Sequence, residues 1–188
     1  LGRATGTCKG KGGSMHIADL SKGMLGANGI VGGGPPLACG AALSAKTLGT
    51  GAVAVAFSGD GAVNQGTTAE SLNLAAIWRL PVVFVIEDNG WGEATSSAYA
   101  TAGDIVARAR GYGMRAEKVD GLSLSDVHEA AKAAVDHARA GLGPSLLHVT
   151  TERFHGHFNG DPDTYRSEAA KADQRANRDC LIRLRTLM

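Results

Sequence analysis

The sequence has little of what disulfide-rich, membrane-spanning or nucleic-acid-binding proteins need. Its 188 residues include three cysteines, none in a CxxC pair, so neither a disulfide framework nor a cysteine metal site is predicted. The formal net charge is +1, which gives no electrostatic basis for binding nucleic acid or a membrane surface. No apolar run approaches the roughly 20 residues of a membrane span, and no signal peptide is visible. We expect a cytoplasmic protein whose partners include neither nucleic acid nor a membrane.

Aromatic residues are also few, at 5%, whereas 27 residues are glycine. Many of the glycines cluster, at residues 10–13, 32–34 and 59–61, which is typical of backbone that approaches a ligand closely. Residues 1–34 form a glycine-rich stretch with little periodicity, and a stretch of that length in a compact domain is usually functional or mobile. Because the chain opens directly in this stretch, without a methionine, we expect a fragment that lacks its N-terminal part.

Two apolar runs end in short polar signals. Residues 52–57 are closed by a Gly-Asp-Gly sequence that contains Asp60, and residues 82–86 are closed by an Asp-Asn pair that contains Asn89. Each run is typical of a buried parallel strand, and residues 65–79 between them predict the crossover helix. The carboxyl ends of parallel strands lie at the edge where open α/β sheets bind ligands. We therefore expect Asp60 and Asn89 at this edge, where a carboxylate and an amide oxygen can bind a hard divalent cation beside a phosphate.

The rest of the sequence alternates between helix and strand signals, which predicts an α/β fold with a parallel sheet flanked by helices. A buried helix starts at the double proline and stops before Gly49. An amphipathic helix follows a cap at Ser123 or Ser125 and ends at Gly141. The further predicted elements are a loop over residues 91–104, helices over 104–112 and in the charged tail from 163 to 188, and strands over 115–119 and 145–150.

The spacing of the two polar signals resembles the thiamine diphosphate signature, in which one or two asparagines follow GDG at a set distance. Here 26 residues separate Gly61 from Asp88. The resemblance implies that Mg²⁺ is bound by the side chains of Asp60 and Asn89 and by the backbone carbonyl of Trp91, with diphosphate oxygens and water completing the shell. The signature's first asparagine is Asp88 here, so only Asn89 carries over. An Asp-Gly pair by itself would instead fit an ordinary turn.

Further segments resemble the alpha subunit of the two-chain, lipoate-linked 2-oxo acid dehydrogenases and acetoin dehydrogenases. They are GKGGSMH at residues 10–16, NGIVG at 28–32, GDGAVNQG at 59–66, and HGH at 155–157 followed by DP at 161–162 and YR at 165–166. Residues 57–71 and 87–90 are similar to the acetoin branch of this family. The resemblance implies a single thiamine diphosphate-binding domain over residues 1–188, incomplete at its N-terminus.

The resemblance also implies a role for each residue of the site. The carbonyl of Gly29 and the N–H of Val31 would hold the aminopyrimidine ring of the cofactor. His157, the implied catalytic residue of this chain, would contact the phosphate or assist proton transfer. The residues along the diphosphate would be Asp60, Gly61 and Ala62.

Four other histidines are expected to serve no chemistry. His148 lies in a predicted buried strand, which favours a satisfied core residue over a ligand. His128 and His137 lie among charged neighbours on the amphipathic helix, which predicts solvated surface. His155, two residues before His157, would need further Cys or His ligands to bind zinc, and none lies at ligand spacing in the sequence.

The function implied by the resemblance is thiamine diphosphate- and Mg²⁺-dependent cleavage of acetoin. The reaction would release acetaldehyde and leave a hydroxyethyl unit on the cofactor for transfer to lipoamide on a partner acyltransferase. A beta subunit would complete a heterotetramer of two alpha and two beta chains and supply the glutamate that activates the cofactor. The first alternative is an alpha subunit that decarboxylates pyruvate or a branched-chain 2-oxo acid. The second is a catalytically silent interaction module, whereas a nicotinamide-binding domain is disfavoured because no GxGxxG follows the first strand.

Overall fold

The computed structural model describes residues 2–188 and shows a parallel sheet flanked by helices. The strands, in chain order, are β1 (Ala54–Gly59), β2 (Val82–Asp88), β3 (Trp91–Gly92), β4 (Thr95–Ser96), β5 (Arg115–Asp120) and β6 (Ser145–Thr150). The helices are α1 (Gly34–Leu48), α2 (Gly66–Trp78), α3 (Ser97–Ala100), α4 (Ile105–Gly111), α5 (Leu124–Arg139), α6 (Glu168–Asn177) and α7 (Cys180–Leu187). Four strands pair in parallel in the order β1-β2-β6-β5, while β3 and β4 form a separate antiparallel hairpin. The predicted fold class is confirmed.

Both faces of β2 are covered, and its side chains alternate between the two packed layers. The edge strand β1 is covered on one face only, since Val55 and Phe57 are 43% and 66% exposed, so the prediction of a buried strand there was wrong for the other face. In β2, Phe84 and Ile86 point to the face covered by α1, α2 and α4, and each is 1% exposed. Val83 points to the opposite face, where it clusters with Leu147 of β6 and Ala134 of α5. Burial on both faces explains why the β2 sequence is apolar without a break until its carboxyl end. The first polar residues of β2 therefore fall at the edge of the sheet.

β1 begins and ends two residues later than the apolar run predicts. Its register pairs Ala54 with Val82 and Gly59 with Glu87. The last two residues of β1 are Ser and Gly, which continue the backbone ladder although they add nothing to the apolar pattern. As a result, Asp60 directly follows the last paired residue of β1.

The prediction of a loop over residues 91–104 was wrong in part, because these residues contain the β3–β4 hairpin and the single-turn helix α3. Gly90 has a φ of +84°, a left-handed conformation that reverses the chain after β2. Its carbonyl accepts a hydrogen bond of 2.9 Å from the N–H of Ser97, which closes the hairpin.

Of the two caps predicted for α5, the structure shows Ser123, whose hydroxyl accepts a hydrogen bond from the N–H of Asp126.

Residues 2–33, which we call the N-terminal arm, contain only two short 3-10 turns, at Thr7–Gly10 and Leu20–Lys22. Large apolar side chains of the arm are 41% to 74% exposed, namely Met15, Leu20, Met24, Leu25, Ile30 and Val31. Exposed apolar side chains in such number are typical of surfaces that bind another chain or segment. Among residues 2–188, no helix combines the length and apolar character needed to cross a membrane.

Candidate cofactor and cation site

The strand register brings the two polar signals together at the carboxyl edge of the sheet. Asp60 leaves β1 beside the last residue of β2, because the two strands are in register up to that point. A 3-10 turn over Asp60–Asn64 then leads into α2. Gly61 in this turn packs against Gly92, since a Cβ atom on Gly61 would lie 3.6 Å from the Cα of Gly92. The turn after β1 is therefore in van der Waals contact with the loop after β2.

Asp60 is the most unusual side chain at this edge. It is 2% exposed, and its Oδ2 atom has no hydrogen-bond partner among residues 2–188. Burial raises the pKa of the Asp60 carboxyl, and the negative charge of Asp88 raises it further. Hydrogen bonds from the N–H groups of Asp60 and Gly61 and the charge of Arg153 act in the opposite direction. A divalent cation would supply the partner that Oδ2 lacks, so the carboxylate fits Mg²⁺.

The loop after β2 offers two further oxygen atoms. The Oδ1 atom of Asn89 accepts the N–H of Trp91 at 3.1 Å. The carbonyl of Trp91 accepts from Nη2 of Arg153 at 2.6 Å. Each oxygen carries a second lone pair, and oxygen ligands of this kind suit Mg²⁺. Within residues 2–188, no group of three or more His, Cys, Asp and Glu side chains is placed to hold a metal, so a cation here would also need backbone and cofactor oxygens.

Arg153 is a site residue that the sequence patterns did not single out. It follows β6 and reaches across the edge, donating from Nη1 to the carbonyl of Glu93 at 2.6 Å and to the hydroxyl of Tyr165 at 3.2 Å. The ring of Tyr165 lies 5.1 Å from that of Trp91, between centroids. Arg153 therefore joins the loop after β2 to the loop that contains the HGH sequence. No local sequence signal marks it, because its partners in the loop after β2 are backbone carbonyls about 60 residues away.

The loop with His157 is held at its base and open at its tip. His157 is exposed, its N–H donates to Asp161 at 2.7 Å, and its Nδ1 atom lies 3.4 Å from Nη2 of Arg153. Asp161 also accepts from the N–H of Asp163 and the hydroxyl of Tyr165, and these three hydrogen bonds lower the pKa of its carboxyl. The structure thus brings His157 to the same edge as Trp91, with Arg153 between them.

The base of this loop is fixed by Arg166, which is 7% exposed. Its guanidinium pairs with the carboxylate of Asp163 and donates to the carbonyls of Arg153 and His155. Arg166 is the arginine of the YR sequence at residues 165–166, so this part of the family resemblance includes a buried residue with a structural role.

Gly29 and Val31, predicted to hold the aminopyrimidine ring, lie in an exposed turn at the end of the N-terminal arm. The side chain of Asn28 accepts the N–H of Ile30 at 2.9 Å and stabilises this turn. The next residue, Gly32, has a φ of +79°. Its carbonyl accepts from the Thr67 hydroxyl at 2.9 Å, and a Cβ atom on Gly32 would clash with Gln65. The turn is therefore anchored on the N-terminus of α2.

Of the remaining predicted residues, Ala62 is buried and Gly61 is half-buried, and both belong to the turn that leads into α2. No side chain caps the first turn of α2, which leaves amide donors at the N-terminus of this helix. A cavity of about 340 Å³ between α2 and α4 is lined by Leu72, Ile105 and Tyr112 with six other residues. None of the predicted site residues lines it.

Comparison with protein families matches residues 1–188 to the family described as the dehydrogenase E1 component. The chain belongs to this family. It is 60% identical over 181 residues to the alpha subunit of acetoin:2,6-dichlorophenolindophenol oxidoreductase from Cupriavidus necator, a match that covers 96% of this chain and 54% of the relative. The corresponding Bacillus subtilis subunit is 57% identical over 96% of this chain and 55% of the relative. The chain thus spans about half the length of the curated relatives it matches.

A third relative is the pyruvate dehydrogenase E1 component alpha subunit of Zymomonas mobilis, which is 43% identical over 98% of this chain and 52% of its own length. The fold is similar to that of a Mycobacterium smegmatis protein described as a thiamin diphosphate-dependent enzyme, with a TM-score of 0.55 and 28% sequence identity. This match covers 69% of the present chain and 24% of the Mycobacterium smegmatis chain. A transketolase variant from Pichia stipitis gives a TM-score of 0.55 at 27% identity, over 66% of this chain and 20% of the transketolase. The predicted thiamine diphosphate-binding fold is confirmed.

Proposed function

We propose that this chain is the cofactor-binding part of the alpha subunit of an acetoin-cleaving dehydrogenase that uses thiamine diphosphate and Mg²⁺. The observation that carries the proposal is the Asp60 carboxylate, which is buried and has an unpartnered oxygen among residues 2–188. It lies at the ligand-binding edge of the sheet, in a chain 60% identical to an acetoin oxidoreductase subunit. A buried carboxylate oxygen without a partner is costly, and a bound cation would offset that cost.

In this proposal the cation is held by the side chains of Asp60 and Asn89 and by the carbonyl of Trp91. The diphosphate lies along Asp60, Gly61 and Ala62, where the uncapped first turn of α2 offers amide donors to the anionic oxygens. Arg153 stabilises the arrangement because it donates to the Trp91 carbonyl without being a ligand itself. When bound, thiamine diphosphate supplies a nucleophilic thiazolium carbon and an electron sink for cleavage next to a carbonyl.

The remaining roles fall to two exposed segments. Gly29 and Val31 would present backbone oxygen and N–H to the aminopyrimidine ring from the turn anchored on α2. His157 would contact the phosphate or assist proton transfer, and the exposed tip of its loop leaves the ring free to approach the cofactor. The contact between Arg153 and Nδ1 of His157 favours the tautomer in which Nε2 carries the proton.

Acetoin is the substrate we favour, because identity to the two acetoin oxidoreductase subunits, 60% and 57%, exceeds the 43% to the pyruvate dehydrogenase subunit. Cleavage would release acetaldehyde and pass a two-carbon unit to lipoamide on an acyltransferase. Pyruvate decarboxylation would deliver a unit of the same length, and it is the second candidate.

A beta subunit is the partner we propose, in a heterotetramer of two alpha and two beta chains. The exposed apolar side chains of the N-terminal arm support a partner at this surface. The beta subunit would bring the glutamate that activates the cofactor, which this chain does not provide in the proposal. A cytoplasmic location, predicted from the sparse cysteines, is part of the same proposal.

The experiment uses the full-length protein assembled with its beta subunit. Calorimetry measures binding of thiamine diphosphate and Mg²⁺, and dye reduction compares acetoin with pyruvate as substrates. We expect Mg²⁺-dependent cofactor binding that Asp60→Ala abolishes and the exposed control Asp126→Ala leaves unchanged. Turnover with pyruvate but not acetoin would move the assignment to the second candidate. Failure of the wild-type assembly to bind the cofactor would support a catalytically silent module and refute the proposal.

A further inference from the structure

Asp88 and His148 form a buried pair behind the candidate cation site. The Nε2 atom of His148 on β6 lies 2.7 Å from Oδ2 of Asp88 on β2, and the side chains are 8% and 17% exposed. A carboxylate can only accept, so Nε2 carries the proton and donates it. The two residues are 60 positions apart in the chain, and the sheet brings them together because β2 and β6 are neighbours.

The hydrogen bond to Asp88 is the only one that the His148 ring makes within residues 2–188. Nδ1 is buried and has no hydrogen-bond partner in that range. An apolar side chain of similar size would fill the space without leaving a buried nitrogen unpaired. A histidine at this position is therefore explained by what Nε2 does for Asp88 and not by packing.

Asp88 in turn shapes the backbone that carries two of the proposed cation ligands. Its Oδ1 atom accepts the N–H of Gly90 at 2.9 Å, so the carboxylate is fixed by the turn on one oxygen and by His148 on the other. Gly90 lies between Asn89 and Trp91 in the chain. Fixing its N–H fixes the plane of the peptide bond between Asn89 and Gly90, and so restrains the backbone that carries both proposed ligands.

Asp88 is also a potential competitor for the cation. The register that pairs Gly59 with Glu87 places Asp88 beside Asp60, one residue beyond the last pair. Asp88 stands where the thiamine diphosphate signature has a neutral asparagine, so this chain carries an additional negative charge beside the site. The bond to His148 directs Oδ2 of Asp88 toward β6, away from the place where a cation would sit on Asp60.

We propose that His148 is a positioning residue of the cation site that acts through Asp88. By donating from Nε2, it holds the turn over residues 88–91 in the conformation that presents Asn89 and the Trp91 carbonyl, and it keeps the Asp88 carboxylate out of the coordination shell. The inference rests on the proposed function, because it assumes that Mg²⁺ binds at Asp60.

The test compares His148→Phe, which keeps a ring without a donor, with His148→Gln, whose amide can still donate to Asp88. The full-length protein assembled with its beta subunit is titrated with Mg²⁺ at saturating thiamine diphosphate. We expect the Phe variant to bind Mg²⁺ about 10- to 100-fold more weakly and the Gln variant to bind almost like wild type. The exposed residue His128 provides the matched control, since His128→Phe should change nothing.

A second measurement uses the protein without metal or cofactor. Amide hydrogen exchange at Gly90 and Trp91 should be faster in His148→Phe and unchanged in His148→Gln. A side chain that only contributed to packing would not be rescued by Gln and would not change exchange selectively at the turn. Asp88→Ala should weaken Mg²⁺ binding as His148→Phe does, and adding His148→Phe to Asp88→Ala should have no further effect.

The outcomes separate the two proposals. If the wild-type assembly does not bind Mg²⁺ with thiamine diphosphate, the proposed function fails, whereas faster exchange at Gly90 in the variant would still support the role of His148 in the turn. If wild type binds and His148→Phe binds equally well with unchanged exchange, the positioning role is refuted. Should His148→Phe not fold, Asp88→Ala decides, and wild-type Mg²⁺ affinity in that variant overturns the inference.

Discussion

Replacing Asp60 with asparagine should stabilise the cofactor-free protein and abolish cation binding. The wild-type carboxylate is 2% exposed, and its Oδ2 atom has no partner among residues 2–188. A buried, unsatisfied polar group costs about 1 to 3 kcal/mol, and more if it is charged. Asparagine keeps an oxygen for the N–H groups of Asp60 and Gly61 but removes the charge. Because the new amide nitrogen also lacks a partner, we expect only part of the cost to be recovered, about 1 kcal/mol.

The pH dependence of this effect follows from the sign of the pKa shift. Since burial raises the pKa of Asp60 above its ordinary 3.8, the folded state holds the proton more tightly than the unfolded chain does. Wild-type stability is therefore reduced as the pH rises from 3.8 through the raised pKa, and Asp60→Asn lacks this loss. Its advantage should be complete at neutral pH, shrink as the pH falls through the raised pKa, and disappear below 3.8.

The assay is thermal unfolding of metal-free protein over a pH series, combined with Mg²⁺ titration in the presence of thiamine diphosphate. For a protein of this size, 1 kcal/mol raises the thermal midpoint by about 2 to 4 °C. Glu129→Gln, which removes a carboxylate charge at an exposed position inside α5, is the control and should leave the midpoint unchanged. A lower midpoint for Asp60→Asn at neutral pH would refute the reasoning, as would a gain that persists in acid.

Three further predictions concern stability. Asp163→Asn should lower the thermal midpoint by a few degrees at neutral pH, because the hydrogen bond from Arg166 lowers the pKa of the Asp163 carboxyl. The difference from wild type should begin to shrink as the pH falls below 3.8 and vanish only below the lowered pKa. Phe84→Ala should reduce the unfolding free energy by about 3 to 5 kcal/mol in urea titrations, and a loss below 1 kcal/mol would contradict its central place in the core. Gly121→Ala should destabilise the folded protein, because the new Cβ atom would lie 2.5 Å from a carbonyl oxygen of β6. Gly40→Ala places its Cβ atom in open space on a helix and should raise the unfolding free energy by about 0.5 to 1 kcal/mol. Unfolding curves equal to that of wild type would contradict both predictions.

The sequence reveals the sheet and one half of the candidate site for physical reasons. Strands β2 and β6 are buried on both faces, so their apolar runs are unbroken and can be recognised without a structure. Asp60 and Asn89 directly follow β1 and β2, and residues that end parallel strands fall at the carboxyl edge of the sheet, which is why their position could be predicted. The β3–β4 hairpin could not, because strands of two residues have no period.

The other half of the site depends on contacts between distant segments. Arg153 donates to the carbonyls of Trp91 and Glu93, and His148 donates to Asp88, in each case across about 60 residues. A backbone carbonyl has no residue identity for a pattern to detect. The prediction of a satisfied core histidine at His148 was half right, since the structure gives one ring nitrogen a partner and leaves the other without one among residues 2–188.

The bonds from Arg153 to main-chain oxygens have a consequence for mutational tolerance. In the proposed site, one cation ligand is the carbonyl of Trp91, which survives almost any side-chain replacement at that position. A systematic substitution scan would therefore report Asp60 and Asn89 as essential and miss the third ligand entirely. The loss would appear instead at Arg153, a residue that touches no cation, because its removal frees the Trp91 carbonyl to turn away. Sensitivity at 153 combined with tolerance at 91 is the pattern by which such a scan would detect a backbone ligand.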